Sequence, residues 1–239
     1  MLPIGSNRLV WYQTGVCRTG LIHALAVLCV VNACAQPDTS TQTSATTTST
    51  AKAQVNPARI SRVRSQLPPG YEIAELGGPA SPAAFWGLKP GWVTDPPQCG
   101  VLADPPTDEA TTKGWSGSGP GGIVHVAVTG SHASPVALDP AIVADCGQWT
   151  IASGNATGTV NLIEAPAIEN ATTVGIDTRA NTFVEGGTET TSAAYTFSAY
   201  FEDYLAFVTV VTDPGSPNPP LGREFAADLL VKTVSALRG

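Results

Sequence analysis

Two alternating runs near the C-terminus constrain this chain more than any other stretch. In Ala193–Phe201, Tyr195, Phe197, Ala199 and Phe201 alternate with small or polar neighbours; Glu202-Asp203-Tyr204 makes a short connection; and Leu205, Phe207, Thr209 and Val211 repeat the alternation up to Thr212. A period of two on both arms of a short turn is the pattern of an antiparallel hairpin. The fold therefore has to be built around a sheet, with this hairpin as its hydrophobic heart.

Further strands are predicted at Tyr71–Leu76, Ile123–Thr129, Trp149–Ser153, Thr157–Glu164 and Thr172–Asp177. Ile123–Thr129 alternates most cleanly, with Val124, Val126 and Val128 on one face and Ile123, His125 and Ala127 on the other, as a central strand does. Helices are predicted at Asn56–Leu67, where Asn56 caps, Pro57 follows and Ile60, Val63 and Leu67 share a face, and at Ala141–Cys146 behind Asp139-Pro140. After the prolines of Asp213–Pro220, Leu221–Leu237 forms a closing amphipathic helix with Phe225, Leu229, Leu230, Val234 and Leu237 inward. Asp104–Lys113 reads as weakly helical. Six or seven strands with helices near both ends and one midway predict an α+β fold: a largely antiparallel, twisted sheet with helices packed on one face.

Motifs that name a reaction are missing. Gly117, Gly119 and Gly122 in Gly114–Gly122 fit G-x-G-x-x-G, but the dinucleotide version follows a strand and opens a helix, whereas these glycines lead into a strand. The ending of a P-loop is absent, and G-x-S-x-G fails around both Ser116 and Ser118, so the segment is assigned a structural role. Neither C-x-x-C nor H-E-x-x-H occurs, and His125 and His132 are the only histidines after Cys34. We expect no metal and no cofactor. A Ser–His–acid site would have to recruit one of these histidines, each of which otherwise reads as structural. Phe85, Trp86 and Trp92 stand close together in a Gly- and Pro-punctuated loop leading to Cys99. They can line a ligand site or cover one end of the core, and both readings are carried forward.

The N-terminus reads as an address. Leu21–Val31 is apolar, follows Arg18 and is shorter than the roughly 20 residues a spanning helix needs, which is the pattern of a signal peptide. A buried helix or an uncleaved anchor is the alternative, and a start nearer Val16 would remove an unusually long leading region. Val31-Asn32-Ala33-Cys34 is similar to a bacterial lipobox, in which the cysteine is acylated and becomes the new N-terminus. Two or three fatty chains, at about 0.8 kcal/mol per buried CH₂, would anchor the protein at the extracytoplasmic face of the cell membrane. The expected layout is a signal peptide over residues 1–33, the lipidated Cys34 and a Ser/Thr-rich disordered tether over 34–54, and one globular domain over 55–239. The tether's hydroxyls could carry sugar.

Charge and cysteine usage fit that compartment. Only Arg8 and Arg18 precede Cys34, so the processed chain carries ten Lys and Arg against nineteen Asp and Glu, a net charge of −9. This excludes nucleic acid as a partner, since phosphate contact depends on a basic surface. Arg59, Arg62 and Arg64 read as a solvated helix face. Cys17 and Cys29 leave with the signal and Cys34 with the lipid, so Cys99 and Cys146 alone enter the domain, where an oxidising exterior would join them in one disulfide.

The segments PPGYE, SPAAFWGL, GWVTDPPQCG, SGSGPGGIV, TGTVNLIEAPAI, VEGGTET and FVTVVTDPGSPNPPL together resemble an actinobacterial, largely mycobacterial, family of cell-envelope lipoproteins carrying a domain of unknown function. More distantly, the domain resembles the extracellular sensor domain of a mycobacterial serine/threonine kinase. That likeness implies an antiparallel sheet with flanking helices and a ligand cleft, and no catalytic residue. Three function classes follow in order: a non-enzymatic ligand-binding or sensor-like module that receives a small apolar or glycan-derived molecule near Phe85, Trp86 and Trp92; a protein-interaction module that organises an envelope partner; and a hydrolase.

Overall fold

In chain order the strands of the computed structural model are Glu72–Glu75 (β1), Val93–Asp95 (β2), Asp108–Gly119 (β3), Gly122–Gly130 (β4), Gln148–Ser153 (β5), Ala156–Ile163 (β6), Thr172–Phe183 (β7), Glu189–Phe201 (β8) and Tyr204–Thr212 (β9). All nine join one antiparallel sheet in the order β1-β3-β4-β9-β8-β7-β6-β5-β2. The structure describes residues 54–78, 80–130, 138–183, 186–212 and 216–239. The signal peptide, Cys34, the tether up to residue 53, His132 and Asp213-Pro214-Gly215 lie outside the described residues.

The hairpin that anchors the sequence reading is β8–β9, which pairs Phe201 with Tyr204 and Phe197 with Val208 in the middle of the sheet. Its turn needs a left-handed residue, and Glu202 supplies it at φ 51°. Nine strands among the described residues correct the expected six or seven. The two additions are β2, only three residues long and paired on one side, and β3, which replaces the weak helix expected within Asp104–Lys113 and extends through most of the glycine-rich segment. In β3 the apolar contact comes largely from neighbours. The Tyr71 ring lies across Gly119, where a Cβ would fall 2.5 Å from it, and the Tyr71 hydroxyl accepts the Gly121 N–H at 3.1 Å. Gly122 then makes the turn into β4 at φ 120°. The segment's role is structural, as expected, but as strand and turn.

Parity along the strands sorts side chains onto two faces. One face carries Trp115, Val124, Val126, Val128, Phe197 and Val208, all buried, beneath a 3-10 helix, Pro57–Gln66, and the long helix Arg223–Arg238. The 3-10 helix starts as the sequence predicts, with the Asn56 side chain accepting the Ala58 N–H at 3.0 Å. Its type is a correction, since ten residues at three per turn exceed the usual short piece. Ile60 and Val63, spaced by three, are the residues this helix buries, with Pro57 half-buried one turn before them. Two bonds fix this layer: the Trp115 indole donates to the Ile60 carbonyl at 3.1 Å, and the Asn56 N–H to the Leu237 carbonyl at 2.9 Å. The solvated arginine face holds in part: Arg62 is exposed, while Arg59 reaches the Leu237 carbonyl and Arg64 pairs with Glu75.

The opposite face carries no long helix among the described residues. Short turns cover it: 3-10 helices at Pro82–Phe85 and Pro97–Cys99, the single α turn Gly100–Ala103 (α1), and Pro140–Asp145 (α2), capped by Asp139 through the Ala141 N–H at 2.8 Å. The closing helix is α3 in this numbering. Trp86, Leu102, Trp149, Ile151, Ile176 and Phe207 fill this second core. The expected disulfide is present, with Cys99 and Cys146 Cα atoms 5.6 Å apart and both side chains fully buried. Among the described residues no helix is long and apolar enough to cross a membrane.

Candidate functional site

The turn-covered face holds the predicted aromatic loop, and three anchors fix that loop to the sheet. Phe85 stacks on His125 of β4, with ring centroids 3.9 Å apart and planes at 17°. Trp86 enters the core beside Trp149 and donates its indole N–H to Thr196 Oγ1 at 2.9 Å. Farther on, the Ser153 hydroxyl donates to the Lys89 carbonyl at 2.8 Å. The chain then turns through Pro90 and Gly91 to Trp92, whose six-membered ring rests against Gly100, where a Cβ would stand 3.5 Å away.

Between these segments opens a cavity of about 580 Å³, within the range of small-molecule sites. Trp92, Ala83 and Leu88 form apolar wall, and Ser81, Asp104 and Thr107 supply polar side chains. None of the three polar side chains has a hydrogen bond or ion pair among the described residues. Ser81 is notable because it occupies the cap position of the Pro82–Phe85 turn without capping it, so its hydroxyl is uncommitted. Of the three predicted site residues, Trp92 lines the cavity, Phe85 is turned onto His125, and Trp86 is 1% exposed inside the core. Sequence reasoning missed Ser81, Asp104 and Thr107; the only available signal was the Ser81-Pro82 cap pattern. A second cavity, of about 570 Å³ near Pro57 and Tyr204, has acidic residues Asp108 and Asp203 already engaged within the protein.

Beneath the loop a row of polar residues crosses the sheet in direct register: Ser116 on β3, His125 on β4, Thr209 on β9 and Thr196 on β8. Thr196 and Thr209 share a hydrogen bond at 2.9 Å. Ser116 thus stands beside His125, but no hydrogen bond joins them among the described residues, and His125 Nδ1 is buried without a partner. Burial alone lowers the His125 pKa from 6.5 to about 4. Among the described residues no carboxylate offsets that burial, so none of them serves as the acid that orients a catalytic base. Among the described residues no three His, Cys, Asp or Glu side chains converge as metal ligands would.

The lowered pKa has a direct consequence for stability. Above pH 6.5 the ring is neutral in both folded and unfolded chains and contributes no pH dependence. As pH falls from 6.5 towards 4 the unfolded chain binds the proton alone, so stability drops by up to about 3 kcal/mol. Urea unfolding at pH 7 and 4.5 should therefore show a steeper loss in the parent than in His125→Phe, which keeps the stack on Phe85. Equal losses would mean that the imidazole titrates freely in the folded protein.

A family model described as a domain of unknown function, DUF5642, matches residues 56–238. Comparison with the curated proteins gives no match. Among solved structures, an X-ray structure of an uncharacterised protein from Mycobacterium smegmatis, the Rv0999 ortholog, is similar with TM-score 0.59 and 23% identity, covering 79% of this chain and 100% of that one. The extracellular domain of PknH from Mycobacterium tuberculosis is matched with TM-score 0.43 and 12% identity, over 77% of this chain and 92% of that one. The first of these likenesses bears on the fold alone.

Proposed function

We propose that this chain, which belongs to the DUF5642 family, is a lipid-anchored, extracytoplasmic ligand-binding module of the cell envelope rather than an enzyme. The observation that carries the reading is the Trp92 cavity: an indole and three uncommitted polar side chains set between segments that the sheet and a disulfide already hold in place. Walls fixed in advance reduce the ordering cost of binding, which favours reception of a small molecule. The disulfide also fits an oxidising compartment. Native mass spectrometry of the protein purified from its own envelope tests the reading. A retained small molecule supports it, and an empty chain that co-purifies stoichiometrically with another protein supports the alternative below.

Anchoring rests on Cys34 and has its own test. Changing Cys34 to Ala should move the protein from the membrane to the soluble fraction, because the leader is too short to hold it by a spanning helix. An unchanged membrane fraction would refute the lipid.

The second reading is a protein-interaction module. It draws on β2, an edge strand whose Val93 is 67% exposed and whose outer side pairs with no strand among the described residues. Such an edge can accept another chain. Three residues offer few backbone bonds, so we rank it below the cavity. A hydrolase is third. Ser116 and His125 are in register, but Phe85 covers the imidazole and no carboxylate among the described residues orients it.

A further inference from the structure

We infer that the Trp92 cavity takes a neutral carbohydrate, whose hydroxyls bond to Ser81, Asp104 and Thr107 while an apolar C–H face of the ring lies on the indole. The inference rests on the reading of this cavity as a ligand site and adds the class of ligand. Three polar side chains, none with a partner among the described residues, line a cavity of about 580 Å³ together with one half-buried indole. A sugar presents the matching surface, with hydroxyl donors and acceptors around its rim and C–H groups on its faces. Hydroxyl donation to the Asp104 carboxylate would be the strongest of these bonds, because its acceptor is charged.

Other ligand classes fit less well, for stated reasons. An acyl chain needs a continuous apolar wall, and would bury Ser81, Thr107 and the Asp104 carboxylate without partners. A quaternary ammonium is held by several aromatic faces; here Trp92 is the one aromatic in the wall among the described residues, since Phe85 is stacked on His125 and Trp86 is inside the core. An anionic sugar would meet Asp104 with no Lys or Arg among the lining residues. These arguments leave a neutral, hydroxyl-rich ring. Its platform is preset, since Gly100 lets the indole seat against α1, one residue beyond the disulfide.

The test titrates the full chain by calorimetry and indole fluorescence with neutral methyl pyranosides and furanosides of the common hexoses and pentoses, and separately with a methyl uronate, decanoate and choline. The expected result is saturable binding of at least one neutral glycoside, weakened about ten-fold or more by Asp104→Asn and lost in Trp92→Ala, with no binding of decanoate, choline or the uronate. Asp104 is exposed, so Asp104→Asn should leave the melting temperature unchanged and its effect can be read as binding. Saturable binding of decanoate or choline that Trp92→Ala abolishes and Asp104→Asn does not touch would overturn the carbohydrate while keeping the cavity as a ligand site. Binding of none of these, from a protein that also retains no small molecule when purified, would overturn both.

Discussion

Removing the Cys99–Cys146 bond should lower the unfolding free energy by about 4 kcal/mol, the loop entropy expected when cysteines 47 residues apart are no longer joined. The chain between them explains why the loop matters. After Cys99 it leaves the β2 edge, builds β3 and β4 near the other edge, and returns through α2 to Cys146 and β5. The bond closes that excursion where it starts and ends, next to the cavity. Cys99→Ala with Cys146→Ala is the suitable variant, since both sites are fully buried and serine hydroxyls there would lack partners. Urea unfolding should show the midpoint lowered and the slope somewhat steeper, because the unfolded chain is no longer held compact by the bond, and thiol labelling of the unreduced parent should find neither cysteine free. A loss below about 1 kcal/mol would mean that the excursion is held by packing and that the bond adds little.

Ligand binding should suffer with it. Trp92 lies before Cys99 in the chain and Asp104 and Thr107 after it, so tying Cys99 to Cys146 fixes the segment that connects the two walls of the cavity. Any ligand identified for the parent should bind the double variant more weakly at temperatures where both are folded.

Much of the sheet was legible in the sequence because its strands carry their own alternation. β4 and β8 send Val124, Val126, Val128, Phe197 and Phe201 to one face, as their alternation predicts, while β9 sends Val208 and Val210 to that face and Leu205 and Phe207 to the other, so both of its faces are buried. β3 was not legible, for a physical reason. Its sequence from Asp108 to Gly119 has one large apolar residue, Trp115, and its glycines are the surfaces on which Leu67, Tyr71 and Leu76 lie. A strand whose apolar contacts belong to its neighbours shows no period of its own. β2 failed for the opposite reason: Val93, Thr94 and Asp95 are too few to show a period at all.

The site was half legible. Three close aromatics marked a loop that borders the candidate cavity, but a loop has no fixed period, so the sequence could not tell which ring turns inward. The structure separates Trp86, held by Thr196, from Trp92, held against Gly100. Ser81, Asp104 and Thr107 come to the same cavity from opposite sides of the disulfide, a closeness that exists only in space.

That separation sets the largest contrast between two single substitutions. Trp86 is 1% exposed, packs 6.1 Å from Trp149, and donates to a Thr196 hydroxyl already bonded to Thr209. Trp86→Ala removes a core indole and opens a void, at a cost of about 3–5 kcal/mol. Trp86→Phe keeps most of the volume and leaves the Thr196–Thr209 bond in place, so it should cost markedly less. Trp92 is only half-buried, and its replacement by Ala forfeits about 2 kcal/mol or less of apolar burial. Thermal and urea unfolding of the three variants should therefore rank them Trp86→Ala, then Trp86→Phe and Trp92→Ala together. Ligand binding should instead be lost in Trp92→Ala and kept in Trp86→Phe. If Trp92→Ala unfolds as readily as Trp86→Ala, Trp92 is a core cover like its neighbour, and the cavity loses the one aromatic surface on which a ligand would lie.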